Sequence, residues 1–540
     1  MRRSSSVIAC STVLATALTA SCTAAAGPDS AAGADVPAGY LAVADQALKG
    51  QGPLTVQVDY DSAEAGGLDP QLAGSARSWS LGSLVYEPLV TVGTGFEIEP
   101  LLAESWTQPA PTTYVFTLRD GATFSNGRAV TPDDVVGSLE RLADSDAPYG
   151  AQLGPVESVR ATGPAEVTVE LEKPYGAFLS ALSNTPAAVL PMKEIEDGSL
   201  DIEKEMLGTG PFVVGEHKQD RYWTFTPNPE YRFADQVGVS ELQVEIVPQE
   251  STRLAAVRSG NAGLAFFNNV DSMDQLSGTA NAKVVNQQYS DFYYLIQNSQ
   301  NPDSPLADQK VRFALNSALD RQQIADNALG GQSRPTGVAP SVLPGGCDPA
   351  ALPGAQAGAE GAEAAIEAAG AEGTTLRLAV YTSEPALAQI AQVVQQQYAA
   401  AGIEVKIEKF DDATYLDQVF GENPDFDMAI GWFAGYADAS MVSRWWNPSV
   451  AGFSSAFLTN DTTLNELIDT ATAQAPGDGR DAALREVCER VDTNAEMLPL
   501  VTRPGVVGYR TDKVSPTLHA REGYGNLLRN ITEYKIPGGK

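Results

Sequence analysis

Cysteine, histidine and carboxylate side chains do most protein chemistry, and this chain holds them in very unequal numbers: four cysteines, two histidines and 68 acids among 540 residues. His217 and His519 are far apart, with no further histidine and no Cys-x-x-Cys pair beside them. A transition-metal site needs several such ligands converging. No metal and no cofactor is therefore expected, and both histidines read as packing or surface residues. The sequence also contains no P-loop, G-x-G-x-x-G, G-x-S-x-G or H-E-x-x-H, the commonest marks of nucleotide binding and hydrolysis. Paired carboxylates of the glycosidase kind leave no mark in a sequence, so a carboxylate-pair hydrolase stays open as a minor reading. Cys347 and Cys488 are the pair of cysteines in the body of the chain. Outside the cytosol they can oxidise to a disulfide if their Cα atoms come within reach; two buried thiols are the alternative.

Cys10 lies in a leader and Cys22 directly follows it. Arg2 and Arg3, followed by the short apolar run from Val7 to Leu18, read as an export signal. Ala20-Ser21-Cys22 resembles a bacterial lipobox, with Thr19 where that motif usually has Leu. Residues 1–21 are thus expected to be a signal peptide, and Cys22 the lipidated end of an extracytoplasmic protein anchored on the outer face of the cell membrane. Residues 22–52, rich in Ala, Gly, Asp and Pro, bury too little apolar surface to offset the entropy of ordering, and read as a tether. Beyond the leader no apolar run reaches the roughly 20 residues of a membrane helix. The formal net charge of −33, with 35 Lys and Arg against 68 acids, argues against nucleic acid, whose phosphates need clustered cations.

The elements that must position any site follow an α/β pattern from residue 53. Leu376, Leu378 and Val380 alternate as a strand, and Leu387, Ile390, Ala391, Val394 and Tyr398 then repeat at helical spacing. Ile403, Val405 and Ile407 alternate again, a helix is expected near Ala413 to Phe420, and Phe426 to Ile430 supplies a third strand. This βαβαβ unit implies a parallel sheet covered on both faces. Residues 100–175 differ: strands at Tyr114, Phe116 and Leu118 and at Val167, Val169 and Leu171 flank one helix. Thr131 caps that helix, Pro132 suits its first turn, and Asp133 and Asp134 favour its positive end. A small α+β subdomain is expected there. The Ala-rich stretch from Gly354 to Gly373 reads as a short surface helix ended by Gly370. Asp320 and Arg321 read as a structural ion pair.

Seven segments in order resemble one family. They are LVYEPLV from Leu84, LLAESW from Leu101, YVFTLRDGATFSNGRAVTPDDVVGSLERL from Tyr114, GTGPF from Gly208, STRLAAVRSGNAGLA from Ser251, YYLIQNSQNPDSPLADQKVRFALNSALDRQQI from Tyr293 and GWFAGYADAS from Gly431. This order is similar to that of the peptide/nickel/opine (family 5) solute-binding proteins of ABC transporters. The resemblance implies a two-lobed, periplasmic-binding-protein-like α/β fold with two hinge crossings and an extra α+β subdomain in lobe I. Lobe I would comprise residues 53–290 plus 505–540, with the small subdomain at about 83–190, and lobe II residues 291–504. It further implies a monomeric, non-enzymatic receptor that delivers a small ligand to ABC permease and ATPase subunits and touches the membrane through its lipid anchor alone. An oligopeptide or peptide-like ligand is the default; oligosaccharide, opine or metal chelate, or a non-transporting envelope regulator, are the alternatives.

Ligands of open α/β sheets lie beyond the carboxyl ends of strands, and Trp432, Phe433, Ala434, Gly435, Tyr436 and Asp438 follow the strand ending at Ile430. These are the expected ligand-binding residues, with Trp and Tyr offering apolar area and a polar handle. Peptide-binding relatives usually carry an Asp three residues after the Trp, where it holds the peptide ammonium; here that position is Gly435. Three explanations stand: Asp438 takes over the ammonium, the ligand lacks a free amino terminus, or the ligand is not a peptide.

Overall fold

The computed structural model describes residues 36–62, 68–73, 76–144, 149–421, 423–523 and 528–538. The signal peptide and Cys22 lie outside the described residues. In chain order, strand β1 (Gly52–Val58) is followed by the small subdomain, made of β2 (Ala103–Ala110), β3 (Thr113–Leu118), helix α1 (Pro132–Ala143), β4 (Val156–Gly163) and β5 (Glu166–Leu171). Its sheet is antiparallel in the order β2-β3-β5-β4. Tyr114, Phe116, Val167 and Val169 turn one face into the core, where α1 adds Val135, Leu139 and Leu142, each at most 3% exposed. Thr131 caps α1 by accepting the Asp134 N–H, and Asp134 accepts the Thr131 N–H in return. Arg128 then grips both Asp134 (2.8 Å) and Glu194 (2.7 Å), fixing the entry to the helix.

Strands β6 (Phe212–Lys218), β7 (Tyr222–Pro227), β8 (Val239–Ile246) and β9 (Leu264–Phe267) lead to the long β10 (Ala282–Gln297). After helix α2 (Ala362–Ala368) comes the expected unit: β11 (Thr375–Tyr381), α3 (Pro385–Ala400), β12 (Glu404–Phe410), α4 (Asp412–Phe420) and β13 (Met428–Phe433). β11 pairs parallel with both β12 and β13. Leu376, Leu378, Val380, Leu387, Ile390, Val394 and Tyr398 are all at most 1% exposed, which stabilises the layer by about 1.5–3 kcal/mol per large apolar side chain. Helices α5 (Ala439–Ser443), α6 (Thr462–Ala473) and α7 (Asp478–Asn494) precede the second long strand, β14 (Met497–Arg510).

β10 and β14 organise the molecule. The path of the eleven-stranded sheet runs β12-β11-β13-β10-β14-β9-β1-β8-β7-β6, with the short strand Arg521–Glu522 added beside β10. Thus β10 and β14 stand side by side, antiparallel, between the parallel unit on one side and β9, β1 and β8 on the other. This is a two-lobed α/β architecture crossed by two long strands. The β10–β14 ladder is interrupted between Gln288 and Phe292, so Tyr289, Ser290 and Asp291 bulge from the sheet midway along the crossing.

Cys347 and Cys488 are joined by a disulfide with Cα atoms 6.5 Å apart. Two sequence expectations are corrected. The described part of the expected tether, from residue 36, is packed on the body: Tyr40–Ala42 pairs antiparallel with Leu518–His519, and Ala44 is buried and donates its N–H to Thr517, contacts with a distant segment that local composition does not announce. Asp320 and Arg321 do not pair with each other: Asp320 caps the helix Arg321–Leu329 through the Gln323 N–H, while Arg321 turns inward to Asn316 (2.9 Å), the Pro499 carbonyl (2.9 Å) and Asp492 (3.8 Å). Adjacent helical residues point in different directions, so a local pair was the weaker geometry.

Candidate functional site

β13 carries the aromatic segment to the carboxyl edge of the parallel unit, beside the crossing strands. In the register between β13 and β10, Trp432 opposes Tyr293 and Phe433 opposes Phe292. The Phe433 ring lies 4.4 Å from the rings of Tyr294 and Trp445, and Trp446 donates from Nε1 to the Met497 carbonyl (2.9 Å). Trp445 and Trp446 are 7% and 2% exposed. The aromatic cluster is therefore largely packed on itself, and Trp432 and Phe433 are its half-buried members.

Trp432 also faces a buried polar cluster on the crossing. The Arg503 guanidinium of β14 lies 4.3 Å from the centre of a Trp432 ring, and it is paired with Glu384 at 3.1 Å. Tyr293 donates to the other Glu384 oxygen at 2.9 Å, and Arg503 also donates to Asn268, which follows β9. Burial, reinforced by the Glu384 charge, pushes the Tyr293 hydroxyl well above its ordinary range. Side chains from both sides of the crossing strands thus meet on Arg503.

Further along the segment, the Gly435 N–H donates to Asp291 Oδ1 in the β10 bulge at 2.8 Å. A Cβ at Gly435 would sit 2.3 Å from Ser290 atoms, so close approach to the hinge strand requires glycine here. Tyr436 packs edge-on against Trp445 (5.5 Å) and Tyr149 (6.2 Å), and burial raises its hydroxyl pKa. Asp438 caps α5: its Oδ1 accepts the N–H (2.8 Å) and hydroxyl (2.6 Å) of Ser440. Its Oδ2 is ion-paired at 2.5 Å with Arg480 of α7, both side chains being at most 5% exposed.

The small subdomain closes over this segment. The Gly176 N–H donates to the Thr472 carbonyl (2.7 Å), and Arg444 donates to the Ala151 carbonyl (2.8 Å) and the Tyr175 hydroxyl (3.2 Å). Val92, Phe96 and Asn184 from one side, and residues 435–437 from the other, enclose a gap of about 10 Å³ that Arg521 and Arg529 also line. Val92, Gly93 and Arg529 continue into a polar cavity of about 250 Å³ lined by Ser83, Tyr86, Ser183 and Thr185. A larger depression of about 730 Å³, walled mainly by alanine and glycine between the helix Gln309–Ser317 and α2, shares no residue with the segment 432–438. Its polar lining comes from Asp308, Gln309, Lys310, Ser317 and Thr493.

Comparison with known proteins decides the class. The family described as bacterial extracellular solute-binding proteins, family 5 Middle, matches residues 97–453. The chain is a family 5 bacterial extracellular solute-binding protein. It is similar to a probable D,D-dipeptide-binding periplasmic protein of Escherichia coli, 26% identical over 73% of this chain and 78% of the other. A nickel-binding periplasmic protein of Escherichia coli is also 26% identical, over 77% of this chain and 83% of the other. Among solved structures, the ABC transporter substrate binding protein CtaP of Listeria monocytogenes superimposes with a TM-score of 0.78 at 19% identity, covering 91% of this chain and all of that one. In this family 5 protein residues 432–438 lie on the face of the parallel unit that borders the crossing strands. Three of its features were absent from sequence reasoning: the Arg480 partner of Asp438, the Arg503–Glu384 cluster under Trp432, and Tyr149, Tyr175 and Gly176 from the small subdomain. Each depends on segments distant in the chain, and no local spacing announces it.

Proposed function

We propose that this protein captures a peptide-like solute between its two lobes and delivers it to the permease and ATPase subunits of an ABC importer. The observation that carries the reading is the placement of residues 432–438 at the carboxyl end of β13, beside the two crossing strands and under the loops of the small subdomain. Two crossings permit hinge motion, and ligand held by both lobes stabilises the closed form through contacts that the open form lacks. The division falls in the crossing strands: residues 53–290 and 505–540 as lobe I, with the subdomain at about 83–190, and 291–504 as lobe II. Trp432, Phe433, Ala434, Gly435 and Tyr436 offer the ligand aromatic surface and main chain, while Asp438 supports them through α5. The D,D-dipeptide-binding relative favours a peptide-like cargo. Lipidated Cys22 would hold the receptor at the outer face of the membrane.

Mass spectrometry of small molecules released on denaturing the purified mature protein tests the ligand class. A peptide or peptide derivative in stoichiometric amount is expected; a stoichiometric sugar or metal chelate would replace the peptide reading. Globomycin-treated cells should accumulate uncut precursor, and normal cleavage with no acyl mass on Cys22 would remove the anchor.

A further inference from the structure

Resting on the hinge motion proposed for the crossing strands, we infer that residues 39–45 are a brace for the hinge: docked, they hold β10 beside its bulge, and without them the lobes part further. This arm reaches the crossing strand through the segment 515–522. Tyr40–Ala42 pairs antiparallel with Leu518–His519, and the Tyr40 ring stands edge-on to His519 at 5.1 Å. The Ala44 and Asp45 N–H groups donate to the hydroxyls of Thr517 (3.2 Å) and Ser515 (3.0 Å). Ala520 faces both ways: its N–H donates to the Gly39 carbonyl (2.7 Å), and its carbonyl accepts the Gln288 N–H of β10 (2.9 Å). Beside it the Gln287 side-chain amide donates to the His519 carbonyl (3.1 Å). The arm and the crossing strand thus grip one short segment from opposite sides.

The grip falls at the bend in β10. β14 pairs with one side of β10 before and after the bulge. The other side is shared end to end: Arg521–Glu522 pairs with Gln288 and Tyr289, and β13 pairs with Phe292 to Gln297. The bulge lies between these two partners, so β10 can turn there while each flank keeps its own neighbour. On the β13 side that neighbour is a six-residue strand in a parallel sheet. On the other side it is a two-residue ladder, too short to be stable by itself, and the arm gives its preceding residues an outer partner. The arm is seated firmly enough to do this. Ala44 is 2% exposed, and Gly39, at φ +90°, lies against the Thr94 side chain, which a Cβ there would approach to 3.2 Å. Arg521 also donates to the Val342 carbonyl (3.4 Å), across the proposed lobe boundary. Losing the arm would therefore loosen the flank of the bend and a contact between the lobes together.

Hydrogen exchange read by mass spectrometry on refolded, ligand-free mature protein tests this, against a shortened form in which Gln46 directly follows Cys22. In the mature protein, protection of segments 39–45, 515–522 and 284–289 should be lost together as urea rises, and before that of β11. The shortened form should exchange about tenfold faster or more at 284–289, with β11 unchanged, and should have a larger radius of gyration in small-angle scattering. Equal exchange at 284–289 in the two forms overturns the inference. Faster exchange that reaches β11 equally also overturns it, because the arm would then be ordinary support for the whole fold, and so does an unchanged radius of gyration. If the shortened form does not fold, the urea series on the mature protein decides: loss of protection at 39–45 well before 284–289 overturns the inference. Capture by closure is tested apart from it, by the radius of gyration of the mature protein with and without its co-purified solute. An unchanged value there would remove the closure reading while the exchange results stand.

Discussion

At the scale of single residues, the segment 432–438 shows how a side chain suited to binding is claimed by the fold. Asp438 looks available in the sequence, yet its partner Arg480 arrives from α7 and the two are at most 5% exposed. Removing one member of a buried pair leaves the other uncompensated, so Arg480→Met should destabilise the protein by about 3–5 kcal/mol in urea titration, and Asp438→Asn in the same background should recover part of it. A loss under about 1 kcal/mol would show that the pair is solvated and that Asp438 is free to serve a ligand. A second carboxylate, Asp61, makes a pH prediction. Burial alone would raise its pKa, but hydrogen bonds from His217 (3.0 Å), Trp223 (2.7 Å) and the main-chain N–H groups of Asp220 and Ser62 hold it below the ordinary carboxylate value. The stability it contributes is therefore complete above its unfolded pKa of about 3.9 and is lost as pH falls through the lower folded value. The stability gap between wild type and Asp61→Asn should narrow below about pH 4; a gap unchanged down to about pH 2 would contradict this.

Among the elements, the parallel unit and α1 were legible before the structure because their signals are local. Alternation at Leu376, Leu378 and Val380, the 3.6-residue repeat of α3, and the Thr131 cap each need only neighbours in sequence. β2 and β4 were not legible. They are the edge strands of the small sheet, mostly exposed along their length, and an edge strand with water on both sides shows no apolar alternation. The Cys347–Cys488 disulfide ties the loop after residue 340 to α7 across 141 residues of chain. Its removal by Cys347→Ser with Cys488→Ser should cost about 2–5 kcal/mol, and the oxidised protein in denaturant should resist alkylation until reduced. Immediate labelling of both thiols would exclude the bond.

For the whole molecule, the decisive contacts are those made when the small subdomain meets α6. Gly176 donates to Thr472, and a Cβ there would lie 1.8 Å from the Gln474 carbonyl. Gly176→Val should hold the lobes apart. Ligand affinity is then expected to fall about tenfold or more, because closure would lose contacts that only the closed form makes. The urea midpoint of ligand-free protein should change little, and small-angle scattering should show no contraction on adding ligand. Unchanged affinity and normal contraction would mean that this contact does not govern closure.

Helix caps and hydrophobic period were enough to determine an α/β chain, the place of its central parallel unit and the aromatic segment at the end of its last strand, and the receptor class was implied by the resemblance of seven segments to one family. Each of these is written within a few residues of itself. The tertiary structure alone decided what each of those residues touches. Gly435 is closed off by Ser290 of the crossing strand, Asp438 is taken by Arg480, and Trp432 lies against Arg503. The reason is physical: burial, ion pairing and the space left for a side chain are properties of atoms brought together from distant parts of the chain, and no spacing along one segment encodes them.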